Sequence, residues 1–176
     1  TYDGQPIEAF FHSNCGGETS GAMSVWSQDL PYLKPIACDY CRNGDHFRWS
    51  AQIPTQDLVR DLRGAGLQIG DVAQLRVLRR DESGRIAVLG VMDADGELKS
   101  IKANAFRMAV GPDLIRSTRF EAKVENARVI FNGLGWGHGV GLCQEGACGM
   151  AQKGYNAYEI IRHYYRGVLV EKLRPS

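Results

Sequence analysis

Two short pairs of metal-binding side chains lie in the first quarter of the chain. His12 and Cys15 are spaced H-x2-C, and Cys38 and Cys41 are spaced C-x2-C, with residues 16–37 between them. One His/Cys pair and one Cys/Cys pair, each able to reach an ion from a single turn, fit a tetrahedral zinc with three thiolates and one imidazole. A filled site of four protein ligands is structural; catalysis would need an open position. The same residues allow two other readings. Cys15 could form a disulfide with Cys38 or Cys41 in an oxidising compartment, or the thiols could be buried and unmodified. Cys143 and Cys148 are spaced so that on a helix they point about 140° apart, which favours separate buried thiols over a shared ion. A Cys143 thiol near a helix start and beside a histidine (His138 or His12) would have nucleophile character.

The second feature is the glycine-dense run GLGWGHGVGL, from Gly133 to Leu142, which carries Trp136 and His138. So many glycines suit neither helix nor strand, and they imply backbone conformations or close approaches that a Cβ would block. The run leads into LCQEGACGMAQKG, a helix that Gly154 should end. A glycine loop at a helix N-terminus can surround an opening with amide groups, and the Trp and His set among the glycines favour that reading over a tight corner. His138 reads as a polar wall of a groove. Gln144 and Glu145 open the helix, where Glu145 would complement the positive end of the helix dipole. Glu18 follows Gly16-Gly17 as a neighbour of the metal ligands or as a solvated acid. Trp26, Trp49, Trp136, Tyr32 and Tyr40 could line a carbohydrate groove, although aromatics of a small domain are more often core. Ile160, Ile161 and Tyr164 read as helix packing, and His46 and His163 carry no spacing signal.

These residues need a frame. Residues 5–12 read as a strand entering the cysteine loop, and residues 13–48 are turn-rich, as if fastened by something other than a core. Pro54-Thr55 begins a helix with Thr55 as N-cap and Leu58, Val59 and Leu62 on one face. Three strands follow, VAQLRVLRR, RIAVLGVMD and ELKSIKA, then a short helix over Asn104–Val110. RFEAKVEN and ARVIFNG form a hairpin turned at Glu125-Asn126. Two C-terminal helices come next, the second capped by Asn156 with Glu159 three residues on, and VLVEKL reads as a last strand. The sum is an α+β domain with mainly antiparallel pairing and a β-rich middle over residues 54–125. A 176-residue chain of net charge +1, 44% hydrophobic and 23% charged, is an ordinary globular protein with no sign of a nucleic-acid partner. No apolar run is long enough to span a membrane. The chain opens at Thr1 without methionine, inside a strand-turn, so upstream residues and any export signal among them are expected.

Taken in order, HSNCGGETSGAMSVW, PYLKPIACDYCR, HFRW, GLGWGHGVGLCQEGA, MAQKGY and EIIRHYYRG resemble the stage II sporulation protein D family, which includes the amidase enhancers. The resemblance runs from Phe11 to Gly167, with a less diagnostic stretch from about residue 54 to 125. It implies a lytic transglycosylase that cleaves peptidoglycan strands stripped of stem peptides, between N-acetylmuramic acid and N-acetylglucosamine, to 1,6-anhydro products. Such cleavage needs one carboxylic acid that first protonates the glycosidic oxygen and then serves as base. The resemblance places that glutamate upstream of the CGG loop, before Thr1. No acid of this chain matches it. What does match is a substrate wall: Ser13, Gly16 and Gly17 on one loop, beside His12, and Trp136, His138 and Gln144 on the other. The family's SQWGA is CQEGA here, which removes an aromatic and adds the Glu145 charge. The resemblance also implies glycan-strand and amidase-type partners and an envelope location, while the zinc on His12, Cys15, Cys38 and Cys41, read from their spacing, would be structural. A non-catalytic glycan-binding amidase enhancer and a zinc- or cysteine-dependent hydrolase are the other readings.

Overall fold

The computed structural model describes residues 1–172. It is an α+β fold with two cores. The elements run β1 (Phe11–His12), α1 (Ala22–Trp26), a single 3-10 turn (Asp39–Cys41), β2 (Arg48–Pro54) and α2 (Thr55–Gly64). They continue with β3 (Val72–Arg80), β4 (Ile86–Asp93), β5 (Leu98–Lys102), α3 (Ala103–Val110), β6 (Phe120–Glu125) and β7 (Arg128–Leu134). The chain then forms β8 (Leu142–Cys143), α4 (Gln144–Gln152) and α5 (Ala157–Tyr164).

The first core lies between two antiparallel three-stranded sheets, ordered β2-β7-β6 and β3-β4-β5. Strand β4 is central in its sheet, and Ile86, Leu89 and Val91 are buried in this core. The apolar face of α2 delivers Leu58, Val59 and Leu62 to the same core, where they meet Phe106 of α3 and Phe120 and Phe131 of the hairpin. Trp49 is part of it: its indole lies against Gly133, directly opposite in the β2–β7 register. The β6–β7 turn places Asn126 and Ala127 at φ 50° and 56°, the two left-handed positions of a type I′ hairpin, one residue later than the sequence suggests.

The second core holds four cysteines, together with Leu33, Ile36, Val140, Met150, Tyr164 and Tyr165. Here α5 is closed by a full capping box, Asn156 accepting from Tyr158 and Glu159 amides while Glu159 reaches back to the Asn156 amide.

Three expectations change. The strand over residues 5–12 shrinks to Phe11–His12, because Asp3-Gly4 turn the chain so that Tyr2 and Gln5 pair with each other, and Pro6 has no amide to give a ladder. Thr55 is the first helical residue and Pro54 the cap; the Thr55 hydroxyl and amide both donate to the Ala127 carbonyl. Residues 168–172 form no strand, although Leu169 pairs with Thr1, and Leu173 lies outside the described residues.

Candidate functional site

The loop of residues 12–20 and the glycine loop are stitched to each other along their length. Asn14 and Trp136 exchange both backbone hydrogen bonds, the Ser20 amide donates to Gly139, and the Leu142 amide donates to Phe10. Strand β1 lies parallel to β8, with His12 opposite Cys143. This interleaving is what the glycines are for. Gly135 has φ 79°, and a Cβ there would sit 2.6 Å from the Asn14 carbonyl oxygen and 2.8 Å from the Gly16 nitrogen. The loop amides are also used internally: Gly135 donates to Phe47, Trp136 to Asn14, Gly137 to Arg116, and Val140 to His138 Nδ1. The glycine run is therefore a corner that lets two chains touch, and these amides do not form an opening.

Beneath it, Cys15, Cys38, Cys41 and Cys143 bring four buried Sγ atoms within 4.8 Å of one another. Cys15 Sγ and Cys41 Sγ are 3.4 Å apart. A tetrahedral zinc with Zn–S of about 2.3 Å requires sulfurs about 3.8 Å apart, so this donor set fits zinc. Cys143 is the N-cap of α4 and accepts backbone hydrogen bonds from Gly146 at 3.3 Å and Cys15 at 3.2 Å. The Tyr164 hydroxyl lies 3.1 Å from Cys38 Sγ. Contacts with Cys143 and Cys15 hold the Cys38 thiol well below its usual range, while contacts with Cys143, Cys38 and Cys41, and burial, push Cys15 up. Gly146 makes the room: a Cβ there would come within 2.6 Å of Cys38 Sγ and closer still to the Tyr164 hydroxyl.

The ligand set expected from spacing is corrected in one member: Cys143 joins Cys15, Cys38 and Cys41, and His12 does not. The His12 ring is committed elsewhere. Its Nδ1 lies 3.1 Å from the Val140 carbonyl and so carries the proton, while Nε2 is buried without a partner. Burial, reinforced by the nearby Arg85 guanidinium, lowers the His12 pKa to about 3. Arg85 is itself fully buried, donating to the Cys15 carbonyl at 2.6 Å and lying against Gly139. Cys143 sits within the thiol cluster and is fully buried, which removes it as an exposed nucleophile, and Cys148 is exposed where burial was expected.

The expected substrate-wall residues separate into two groups. His138, partly exposed, packs its ring 4.9 Å from Trp26, which lies 4.5 Å from Phe10, so the three form one aromatic surface. Desolvation lowers the His138 pKa to about 4, against a raising contact with the Phe11 carbonyl, so the ring is neutral near pH 7. Ser13 is half-buried and Gln144 exposed at the loop junction. Gly16 is buried, with its amide on Asn14 Oδ1 and its carbonyl on Arg119, and Gly17 accepts from the Cys38 amide. Trp136 has the Arg116 guanidinium 4.5 Å over its ring and His46 edge-on at 4.7 Å. These last three are held by contacts within the protein, and Gly17 and Trp136 remain partly exposed.

Sequence reasoning missed His46. Its amide and Nδ1 both meet Glu145, which also accepts from the Asn14 amide group. No spacing could have signalled a contact between residues so far apart in the chain. The other missed partner is Cys143, whose CQEGA context reads as a helix start; that is what it is, with the cap sulfur turned onto the other three thiols.

A single-domain α+β fold with a thiol cluster beneath interlocked cysteine and glycine loops defines the class of protein. A family model described as Domain of unknown function (DUF8618) matches residues 36–141. The chain is 33% identical to an uncharacterized protein of Brachyspira hyodysenteriae over 95% of its length and 44% of the relative. It is 29% identical to stage II sporulation protein D of Bacillus amyloliquefaciens, over 96% of this chain and 46% of that one. With the amidase enhancer of Bacillus subtilis it shares 31% identity over 94% of this chain and 30% of that one. The chain belongs to the family described as Domain of unknown function (DUF8618), and over nearly its whole length it is similar to proteins named stage II sporulation protein D and amidase enhancer. It spans less than half the length of these relatives.

Proposed function

We propose that this chain is the glycan-binding part of a peptidoglycan lytic transglycosylase of the cell envelope, held in shape by one structural zinc on Cys15, Cys38, Cys41 and Cys143. The observation that carries the reading is the thiol cluster fastening the two loops beside the partly exposed rings of Phe10, Trp26 and His138. Aromatic faces stack on sugar rings, and a neutral His138 keeps that surface uncharged near pH 7. The relatives named for sporulation and for amidase enhancement support a wall polymer as the ligand. The catalytic acid is supplied from outside residues 1–176. Glu145, the carboxylate nested among the site residues, is taken up by Asn14 and His46, which supports this assignment. Zinc is favoured over a disulfide because all four sulfurs converge, whereas one bridge would leave two thiols stranded.

The test is direct. Purified residues 1–176 bind glycan strands stripped of stem peptides but release no anhydro-sugar ends, while a longer protein carrying the preceding segment does release them. Release by the chain alone would overturn the external acid, and a longer protein that binds but never cleaves would instead support the amidase-enhancer reading.

A further inference from the structure

We infer that the cleft between the β2-β7-β6 sheet and the β3–β4 turn is an anion-binding subsite for the acidic groups of a wall saccharide. Within the glycan reading, on which this rests, it extends the binding surface to the far side of the CGG loop. The cleft has a volume of about 800 Å³, within the range of ligand sites. Leu134 and the backbone around Trp49 and Phe120, whose side chains belong to the core, line it, and its cations are Arg48, Arg80 and Arg119, against one carboxylate, Glu121.

The backbone sets the spacing of these cations. Arg48 is opposite Leu134 in the β2–β7 register, and the Leu134 amide donates to the Arg119 carbonyl on the other side. Arg48 and Arg119 therefore flank one strand, with Cα atoms about 10 Å apart by the usual strand spacing. Arg80 enters from the end of β3 with its Nη1 on the Gly84 carbonyl at 2.6 Å, and Gly84 borders the Arg119 guanidinium. Arg119 Nη1 rests on the Gly16 carbonyl at 3.1 Å, and Arg48 lies over the Phe47 ring.

None of the three pairs with a carboxylate among the described residues. Carbonyl anchors fix a guanidinium in place without neutralising it and leave further N–H groups free for an incoming anion. Three positioned, uncompensated arginines around one cleft suit a sugar bearing a carboxylate or a phosphodiester. In a stripped glycan strand the carboxylate is the lactyl group of each muramic acid.

The experiment measures binding of residues 1–176 to stripped strands, to the same strands methyl-esterified on the lactyl groups, and to poly(glycerol phosphate). The free-acid strands should bind about tenfold more tightly than the ester, and an Arg48→Gln/Arg80→Gln variant with unchanged thermal unfolding should lose that preference. Arg48→Lys/Arg80→Lys should keep part of it. If instead poly(glycerol phosphate) binding is what the glutamine variant loses, the subsite is confirmed and its anion is a phosphodiester. Equal binding of acid and ester strands, indifferent to both variants, overturns the subsite and leaves the glycan reading standing. Failure to bind any of the three polymers overturns both.

Discussion

Glu145, in the first turn of α4, receives the backbone amide and the ring Nδ1 of His46, from the loop that closes the cysteine segment. The same carboxylate takes the Asn14 amide group, so one side chain joins the helix to both loops it serves. The dipole role legible from its position near the helix start is present, and the loop latch is added to it.

Glu145→Ala should therefore cost more than a surface charge. It leaves the part-buried donors of Asn14 and His46 unmatched, which predicts a loss of about 1–3 kcal/mol. For a domain of this size that lowers the melting temperature by roughly 2–4 °C per kcal/mol. His46→Ala, which removes the ring but leaves the backbone donor, should cost less. Thermal unfolding of the two variants beside the parent checks the order, and equal, negligible shifts would dismiss the latch.

The thiol cluster makes a prediction that separates geometry from spacing. Elemental analysis of the purified chain should find about one zinc per chain, held when His12 is changed to Gln and lost when Cys143 is changed to Ser. Chelation should lower the melting temperature of the parent and leave Cys143→Ser nearly unmoved. Zinc retained in the serine variant and lost in His12→Gln would restore the imidazole ligand.

How far the sequence could lead is visible in these same residues. Periodicity located α2 with its Leu58, Val59 and Leu62 face, the three strands β3 to β5, and the Asn156 capping box, because each is a local pattern read within one or two turns. Three of four cluster cysteines were legible from H-x2-C and C-x2-C. The fourth was not, because Cys143 reaches the cluster through the parallel pairing of β1 with β8, a contact between distant segments. The glycine run showed that a Cβ was forbidden but not by what. With Trp136 and His138 among the glycines it read as an opening, with a tight corner as the alternative, and the Asn14–Trp136 exchange shows the corner.

His138 gives the fold a defined acid sensitivity. Its pKa is about 4 in the folded chain, lowered first by burial and then by the Arg85 and Arg107 charges, against 6.5 for a free ring. The unfolded chain thus binds the proton more readily between those values. Stability from this group is full above about pH 6.5 and falls as pH drops toward 4, by up to about 3 kcal/mol. Denaturant unfolding at pH 7.5 and 5 should show a decline that His138→Gln reduces. A variant with the same decline would assign the acid sensitivity to other groups.

The β6–β7 turn offers a change in the opposite direction. Asn126 suits the first left-handed position of a type I′ turn, but Ala127 occupies the second at φ 56°, where a Cβ costs roughly 1–2 kcal/mol and glycine costs little. The carbonyl of residue 127 receives the amide and hydroxyl of Thr55, contacts that need no side chain at 127. Ala127→Gly keeps them and relieves the strain, while the greater freedom of glycine in the unfolded chain takes back part of the gain. The net expectation is a stabilisation of about 0.5–1 kcal/mol, read as a higher denaturant midpoint with an unchanged slope. A lower midpoint would mean that the left-handed alanine is not strained.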